Sequence, residues 1–128
     1  MENDELSRKI IKAAYNVHNA LGSGFLEKVY QNAMIVELRI MGLEVTAEYP
    51  INVIYKSVIV GEYFADLFVE ESTVVELKAV ENLQPIHEVQ LVNYLHGTGM
   101  DFGLLINFGR SVTIKKKFRV YKKEILEW

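Results

Sequence analysis

The chain has 128 residues, half of them apolar and 24% charged, with no cysteine and a formal net charge of -3. That composition supports one domain with a core of its own and excludes a disordered tail, and no stretch approaches the ~18 apolar residues of a bilayer span. Lack of cysteine removes disulfide scaffolds, thiolate zinc sites and a cysteine nucleophile; no basic-then-apolar leader pattern precedes the first helical run, so a single cytoplasmic domain over residues 1–128 is expected.

Charge is unevenly spread. Residues 110–123 hold seven of the fourteen Lys and Arg and none of the seventeen acids, which leaves the rest of the chain with seven positive and seventeen negative charges, a net of -10. Such a ridge could track a phosphate backbone. On charge alone the simpler reading is an edge strand kept soluble by lysines.

In chain order, Leu6, Ile10, Ala13, Ala14, Val17 and Leu21 recur at the 3.6-residue period of an amphipathic helix over 4–21, which Gly22 and Gly24 stop. A second helix is predicted from Phe25 to Met41, with Val29, Ala33, Val36 and Ile40 on its apolar face and Gly42 as terminator. From Glu44 to Lys78 the period shortens. VTAEYP, INVIY, VIVGEYFADLFVE and TVVELK, broken at Pro50, Lys56-Ser57 and Glu70 to Ser72, predict an antiparallel meander of four strands. Pro85 suits a first helical turn, so a third helix is expected from Gln84-Pro85 to about His96, ahead of Gly97 and Gly99. Strands at 102–108 (FGLLINF) and 112–121 (VTIKKKFRVY) close the sheet. The order ααββββαββ predicts an α/β fold of the α+β kind, a mixed β-sheet flanked by helices.

The most informative local feature is Asp66 followed by Glu76 and Lys78. Alternation along a strand places Glu76 and Lys78 on one face. If Glu70-Glu71-Ser72 is the hairpin loop, Val69 pairs with Thr73 and Asp66 falls opposite Glu76; a two-residue loop would move Asp66 to the other face. Opposed Cβ atoms lie about 4.5 to 5.5 Å apart. At that spacing two carboxylates repel by roughly 3 kcal/mol at an effective dielectric near 20, so a positive charge belongs between them. Oxygen ligands without cysteine or histidine favour Mg2+ or Mn2+ over zinc. Lys78 is placed to hold or deprotonate a water, or to offset charge on a phosphate oxygen.

A bare D-x9-E-x-K pattern is usually an exposed hairpin with an ion pair. Here Phe64, Leu67, Phe68, Val74, Val75 and Leu77 make both strands read as buried on both faces, where Asp, Glu and Lys are costly unless paired or metal-bound. Two helical pairs accompany them: Glu27 with Tyr30, three apart, and Gln90 with Tyr94, four apart. His18 reads as a packing or hydrogen-bonding residue, His87 and His96 as surface residues. No Ser-His-Asp signature, phosphate loop, dinucleotide-binding glycine pattern or zinc spacing is present.

Gly24-x-x-Glu27-x-x-Tyr30, Ala65-Asp66-Leu67, Val75-Glu76-Leu77-Lys78-Ala79 and Gln90-x-x-x-Tyr94, in this order, resemble the GxxExxY family of the PD-(D/E)XK nuclease superfamily. The likeness extends over nearly the whole chain, from Val17-His18 and Leu21-Gly22 to the LLINFG segment at 104–109. Phe64-Ala65 stands where the superfamily name has proline before the aspartate. The resemblance implies a restriction-endonuclease-like core and a metal-dependent nuclease that leaves a 3' hydroxyl and a 5' phosphate. It implies Asp66, Glu76, the Leu77 carbonyl and Glu27 as holders of Mg2+ or Mn2+, and Lys78 as the catalytic lysine. Gln90 and Tyr94 resemble the QxxxY element that arranges the site and touches nucleic acid. The basic residues Arg110, Lys115 and Lys117 would add phosphate contacts if they lie beside the cleft. Nucleic acid, with DNA foremost, is the expected partner, with no membrane and with homodimerisation open. The alternative is a catalytically silent nuclease fold serving as a binding or regulatory module.

Overall fold

A computed structural model of the chain describes residues 3–119. Helix α1 (Asn3–Leu21) and helix α2 (Glu27–Ile40) come first, then strands β1 (Val45–Tyr55), β2 (Val58–Val69) and β3 (Thr73–Lys78). Helix α3 (Pro85–Thr98), β4 (Phe102–Phe108) and β5 (Val112–Phe118) complete the described residues. The strands form one five-stranded sheet in the order β1-β2-β3-β4-β5, antiparallel except for the parallel pair β3 and β4 that α3 connects. This is the expected mixed sheet with flanking helices, in the restriction-endonuclease-like α+β arrangement. Its order is ααβββαββ, one strand fewer than anticipated.

The missing strand is a misread break. Pro50 lies inside β1, paired with Phe64, and β1 is an edge of the sheet, where an absent N–H leaves no ladder partner wanting. The turn residues fall as expected: Lys56 and Ser57, then Glu70 and Glu71, take positive φ at the two hairpin tips. Of the anticipated strand over 112–121, the part beyond Phe118 includes Val120 and Tyr121, which lie outside the described residues, as do Lys122 and Lys123.

Each face of the sheet has its own core. Leu6, Ile10, Ala13, Ala14 and Val17 of α1 pack with Tyr30, Met34 and Leu38 of α2 against Leu67, Val75, Leu77, Leu104 and Ile106. Across the sheet, Leu91 and Leu95 of α3 pack on Ile51, Ala65, Phe68, Val74 and Leu105. The expected face of α1 is the buried one, apart from Leu21, which is exposed. The expected face of α2 is not: Val29, Val36 and Ile40 are exposed, and the buried face carries Tyr30, Gln31, Met34 and Leu38. Pro85 opens α3, and the helix continues through Gly97 to Gly99, whose φ of 72° ends it. Gly97 matters within the helix, because a Cβ there would sit 2.6 Å from Ile51 Cγ2; its absence lets α3 lie close on β1.

Candidate active site

The hairpin of β2 and β3 has the anticipated register, Val69 opposite Thr73 and Leu67 opposite Val75. One step further, where Asp66 faces Glu76, side chains take over from the backbone ladder. The Asp66 N–H donates to Glu76 Oε1 at 3.0 Å, and the Leu77 N–H donates to Asp66 Oδ2 at 2.7 Å. Pairing also lapses on the other side of Asp66. Strands β1 and β2 pair through Ala47–Leu67 and Tyr49–Ala65 but skip Glu48–Asp66, and Glu48 holds a left-handed φ of 53°. For a residue with a Cβ that conformation costs about 1–2 kcal/mol. The Asp66 carbonyl is taken instead by Gln31 Nε2 of α2 at 3.0 Å, and the same nitrogen reaches Glu48 Oε1 at 2.9 Å. Asp66 therefore sits at a break in both ladders, with its N–H and its carbonyl each engaged by a side chain.

Burial governs the charge state of the pair. Glu76 is only 7% exposed. Desolvation, first, and then the charge of Asp66 push the Glu76 carboxyl up to about 8, against the downward pull of the Asp66 N–H and Lys78. Desolvation likewise raises Asp66 to about 6, with the Leu77 N–H and Lys78 opposing and the charges of Glu27 and Glu48 adding. Near neutral pH the two carboxyls thus retain a proton between them. Glu48 is held below the ordinary carboxylate range by its hydrogen bond from Gln31 and by Lys28, whose ammonium lies 3.2 Å away.

The remaining residues singled out from the sequence fall at several distances from this centre. Lys78 and Glu27 both act electrostatically on Asp66 and Glu76, so β3 and the first turn of α2 bring a cation and a third acid to the pair. Tyr30 is fully buried and does not face them. Its hydroxyl donates to the Gly22 carbonyl at 2.6 Å and accepts from the Phe25 N–H at 3.3 Å, while its ring stacks on Phe108. Tyr30 thereby fastens the loop that delivers Glu27. Tyr94 of α3 looks toward the site: burial raises its hydroxyl, and the charges of Glu76, Tyr63 and Asp66 add to that. Gln90 and Tyr94 line a cleft of about 580 Å3 between α3 and the β1–β2 hairpin.

The basic candidates divide. Glu76 pairs with Leu105 and Leu105 with Lys115, so Lys115 stands two strands along the same face, about 10 Å across the sheet. Lys117 shares that face but is engaged by Glu88 at 3.1 Å. Arg110 is exposed in the β4–β5 turn, at the sheet end where the parallel strand β3 finishes in Lys78. His18 is a hydrogen-bonding residue, with Nε2 at 2.8 Å from the Gly109 carbonyl and its ring on Phe108. His87 and His96, expected at the surface, are half-buried, and His87 Nδ1 caps α3 by accepting the Gln84 N–H. Phe64, expected in the core, is 55% exposed on the hairpin.

Gln31 and Glu48 are the site residues that the sequence left unmarked. Neither lies in a motif, and the contact from Gln31 to Asp66 spans 35 positions.

A divalent ion suits the chemistry of this donor set. Two buried carboxyls, both raised by desolvation and Glu76 further by the charge of Asp66, present oxygen donors whose charge lacks sufficient compensation, which a hard cation supplies. Among the described residues, no three His, Asp or Glu side chains gather closely enough to cage an ion by themselves. The protein ligands would be Asp66, Glu76 and a backbone carbonyl, with water completing the shell.

Comparison with known proteins bears on the family and the fold. The family model described as the PD-(D/E)XK nuclease superfamily matches residues 4–120. No match is found among curated proteins. Among solved structures, one titled crystal structure of SSO0001 is similar at a TM-score of 0.55 and 16% identity, covering 78% of this chain and 54% of that one. The chain thus spans about half the length of that relative. An alkaline exonuclease from Laribacter hongkongensis is similar at a TM-score of 0.52 and 11% identity, covering 89% of this chain and 79% of the other. At those identities the two structures speak for the fold alone. Fold, ordered acids and matched residues lead to one conclusion: the chain belongs to the PD-(D/E)XK nuclease superfamily.

Proposed function

We propose that the protein is a Mg2+- or Mn2+-dependent phosphodiesterase that hydrolyses nucleic acid, DNA foremost, and that it falls in the GxxExxY branch through Gly24, Glu27 and Tyr30. The observation that carries this reading is the opposed, buried Asp66–Glu76 pair with Lys78 acting on both. A bound divalent cation supplies Lewis-acid polarisation of the scissile phosphate and acidifies an attacking water. Asp66 and Glu76, with the Leu77 carbonyl, would hold that cation, and Glu27 would add its negative charge nearby. The Leu77 N–H fixes the Asp66 carboxylate and the Asp66 N–H fixes that of Glu76, so neither needs to reorganise as charge develops. Lys78 orients the attacking water and offsets charge on the phosphate oxygens. Tyr94 and Gln90 position the strand, and Lys115 and Arg110 hold flanking phosphates.

The test is cleavage of labelled oligonucleotides with magnesium by wild type and by Asp66→Ala, Glu76→Ala and Lys78→Ala, with circular dichroism as the control for folding. Each variant is expected to lose at least about 100-fold in rate while remaining folded. Undiminished cleavage by all three would refute the assignment.

A further inference from the structure

The cleft beside the carboxylates differs from them in chemistry. Its walls include Asn52 and Tyr63 of the β1–β2 hairpin and Gln90, Asn93, Tyr94 and Gly97 of α3. Among the described residues no carboxylate, lysine or arginine lines it, and Val53, Ile54 and His96 complete its wall. The rings of Tyr63 and Tyr94 lie 5.7 Å apart at a 40° tilt, and Tyr63 is 48% exposed, so about half of its surface is accessible to a ligand. A volume of about 580 Å3 is within the range of small-molecule sites. Its contents are those that recognise a neutral, flat, amide-edged ring: aromatic surface to stack on, and three side-chain amides that both donate and accept. A phosphate would find no lysine or arginine there.

We infer that this cleft receives an unstacked nucleobase of a single-stranded or frayed nucleic acid, next to the phosphate held at Asp66 and Glu76. Tyr94 is the wall the two share, bordering the cleft on one side and feeling both carboxylates on the other. A base inside an intact duplex reaches such a cleft only by unstacking, at a cost of a few kcal/mol that a free strand or a fraying end largely escapes. The cleft therefore selects single strands and ends over duplex interiors. The inference deepens the nuclease reading by naming the substrate class, and it relies on that reading for where the phosphate lies.

The experiment is fluorescence anisotropy with labelled strands of about 12 nucleotides, DNA and RNA, against a closed hairpin duplex of the same sequence, with calcium replacing magnesium to hold off cleavage. Wild type is expected to bind the single strand at least about tenfold more tightly than the hairpin. Tyr63→Ala should weaken single-strand binding about 5- to 100-fold, the loss of one stacked base, with Tyr63→Phe close to wild type and the hairpin affinity little moved. Asn52→Leu, at a second exposed wall position, should weaken the single strand in the same selective way. Better binding to DNA than RNA, or the reverse, would name the sugar without altering the inference. Equal affinity for strand and hairpin, or a Tyr63→Ala effect that is absent or common to both, would overturn it. Cleavage is read separately with magnesium. A wild type that selects single strands but cleaves nothing upholds the cleft and removes the enzyme; one that cleaves while binding strand and hairpin equally removes the cleft and keeps the enzyme.

Discussion

Asp66 gives up its place in two β-ladders and receives side-chain partners in return, from Glu76 on β3 and Gln31 on α2. Both shifted carboxyls have folded-state pKa values above their ordinary 3.8 and 4.5, so ionisation opposes folding. The stability of their neutral forms is fully present below about pH 4. It is lost as pH rises toward 8, because the unfolded chain ionises first. Without metal, the melting temperature should fall between pH 4.5 and 8.5 by about 4 °C or more beyond that of Asp66→Asn/Glu76→Gln, as measured in chelator; parallel curves would contradict the shifts. Gln31→Leu should lower unfolding free energy in urea by about 1–3 kcal/mol, since it strands the Asp66 carbonyl and leaves the Glu48 carboxylate with Lys28 as its partner. The acids and the lysine were legible in the sequence because strand alternation and a three-residue loop fix which side chains face each other. Gln31 and Glu48 were not, because a hydrogen bond across 35 positions and a strained φ leave no local pattern.

Among the helices, the sequence shows the buried face where one periodicity dominates, as in α1, and conceals it where two compete, as in α2. Helix α2 carries two apolar stripes, Val29, Val36 and Ile40 on one and Tyr30, Met34 and Leu38 on the other, and helical spacing accommodates both. Tertiary partners decide between them: Phe108 stacks on Tyr30, and the Gly22–Phe25 loop bonds its hydroxyl. Pro50 was read as a break because nothing local announces that β1 is an edge. Packing of α3 on β1 depends on Gly97. Gly97→Ala should destabilise the protein by about 1–3 kcal/mol in urea unfolding, because the new methyl meets Ile51; an unchanged midpoint would show that α3 stands further off. Tyr30→Phe should reduce cleavage without removing either carboxylate, through the loop that delivers Glu27.

Across the whole molecule, charge and apolar surface are both lopsided. An acidic body repels phosphate, so the proposed binding to nucleic acid would rest on residues such as Lys115 and Arg110, and affinity should fall with salt. Ile54, Tyr55, Val58, Ile59, Val60 and Phe64 are all exposed on the β1–β2 arm, spread over both of its faces, which is more apolar surface than a hairpin usually leaves to water. The homodimer left open by the sequence would use this arm. Light scattering should then give twice the 14.7 kDa chain mass, reverting to one chain in Ile59→Lys; a monomeric wild type would remove the dimer.

The proposed nuclease chemistry requires that Asp66 and Glu76 share one divalent cation. Calorimetric titration with Mn2+ near neutral pH, run in two buffers of different ionisation enthalpy, tests it most directly. Binding at one class of site should release about one proton per ion, the proton the empty pair retains, and should vanish in Asp66→Asn and in Glu76→Gln. Absence of binding at millimolar Mn2+, or binding that both substitutions leave intact, would contradict it.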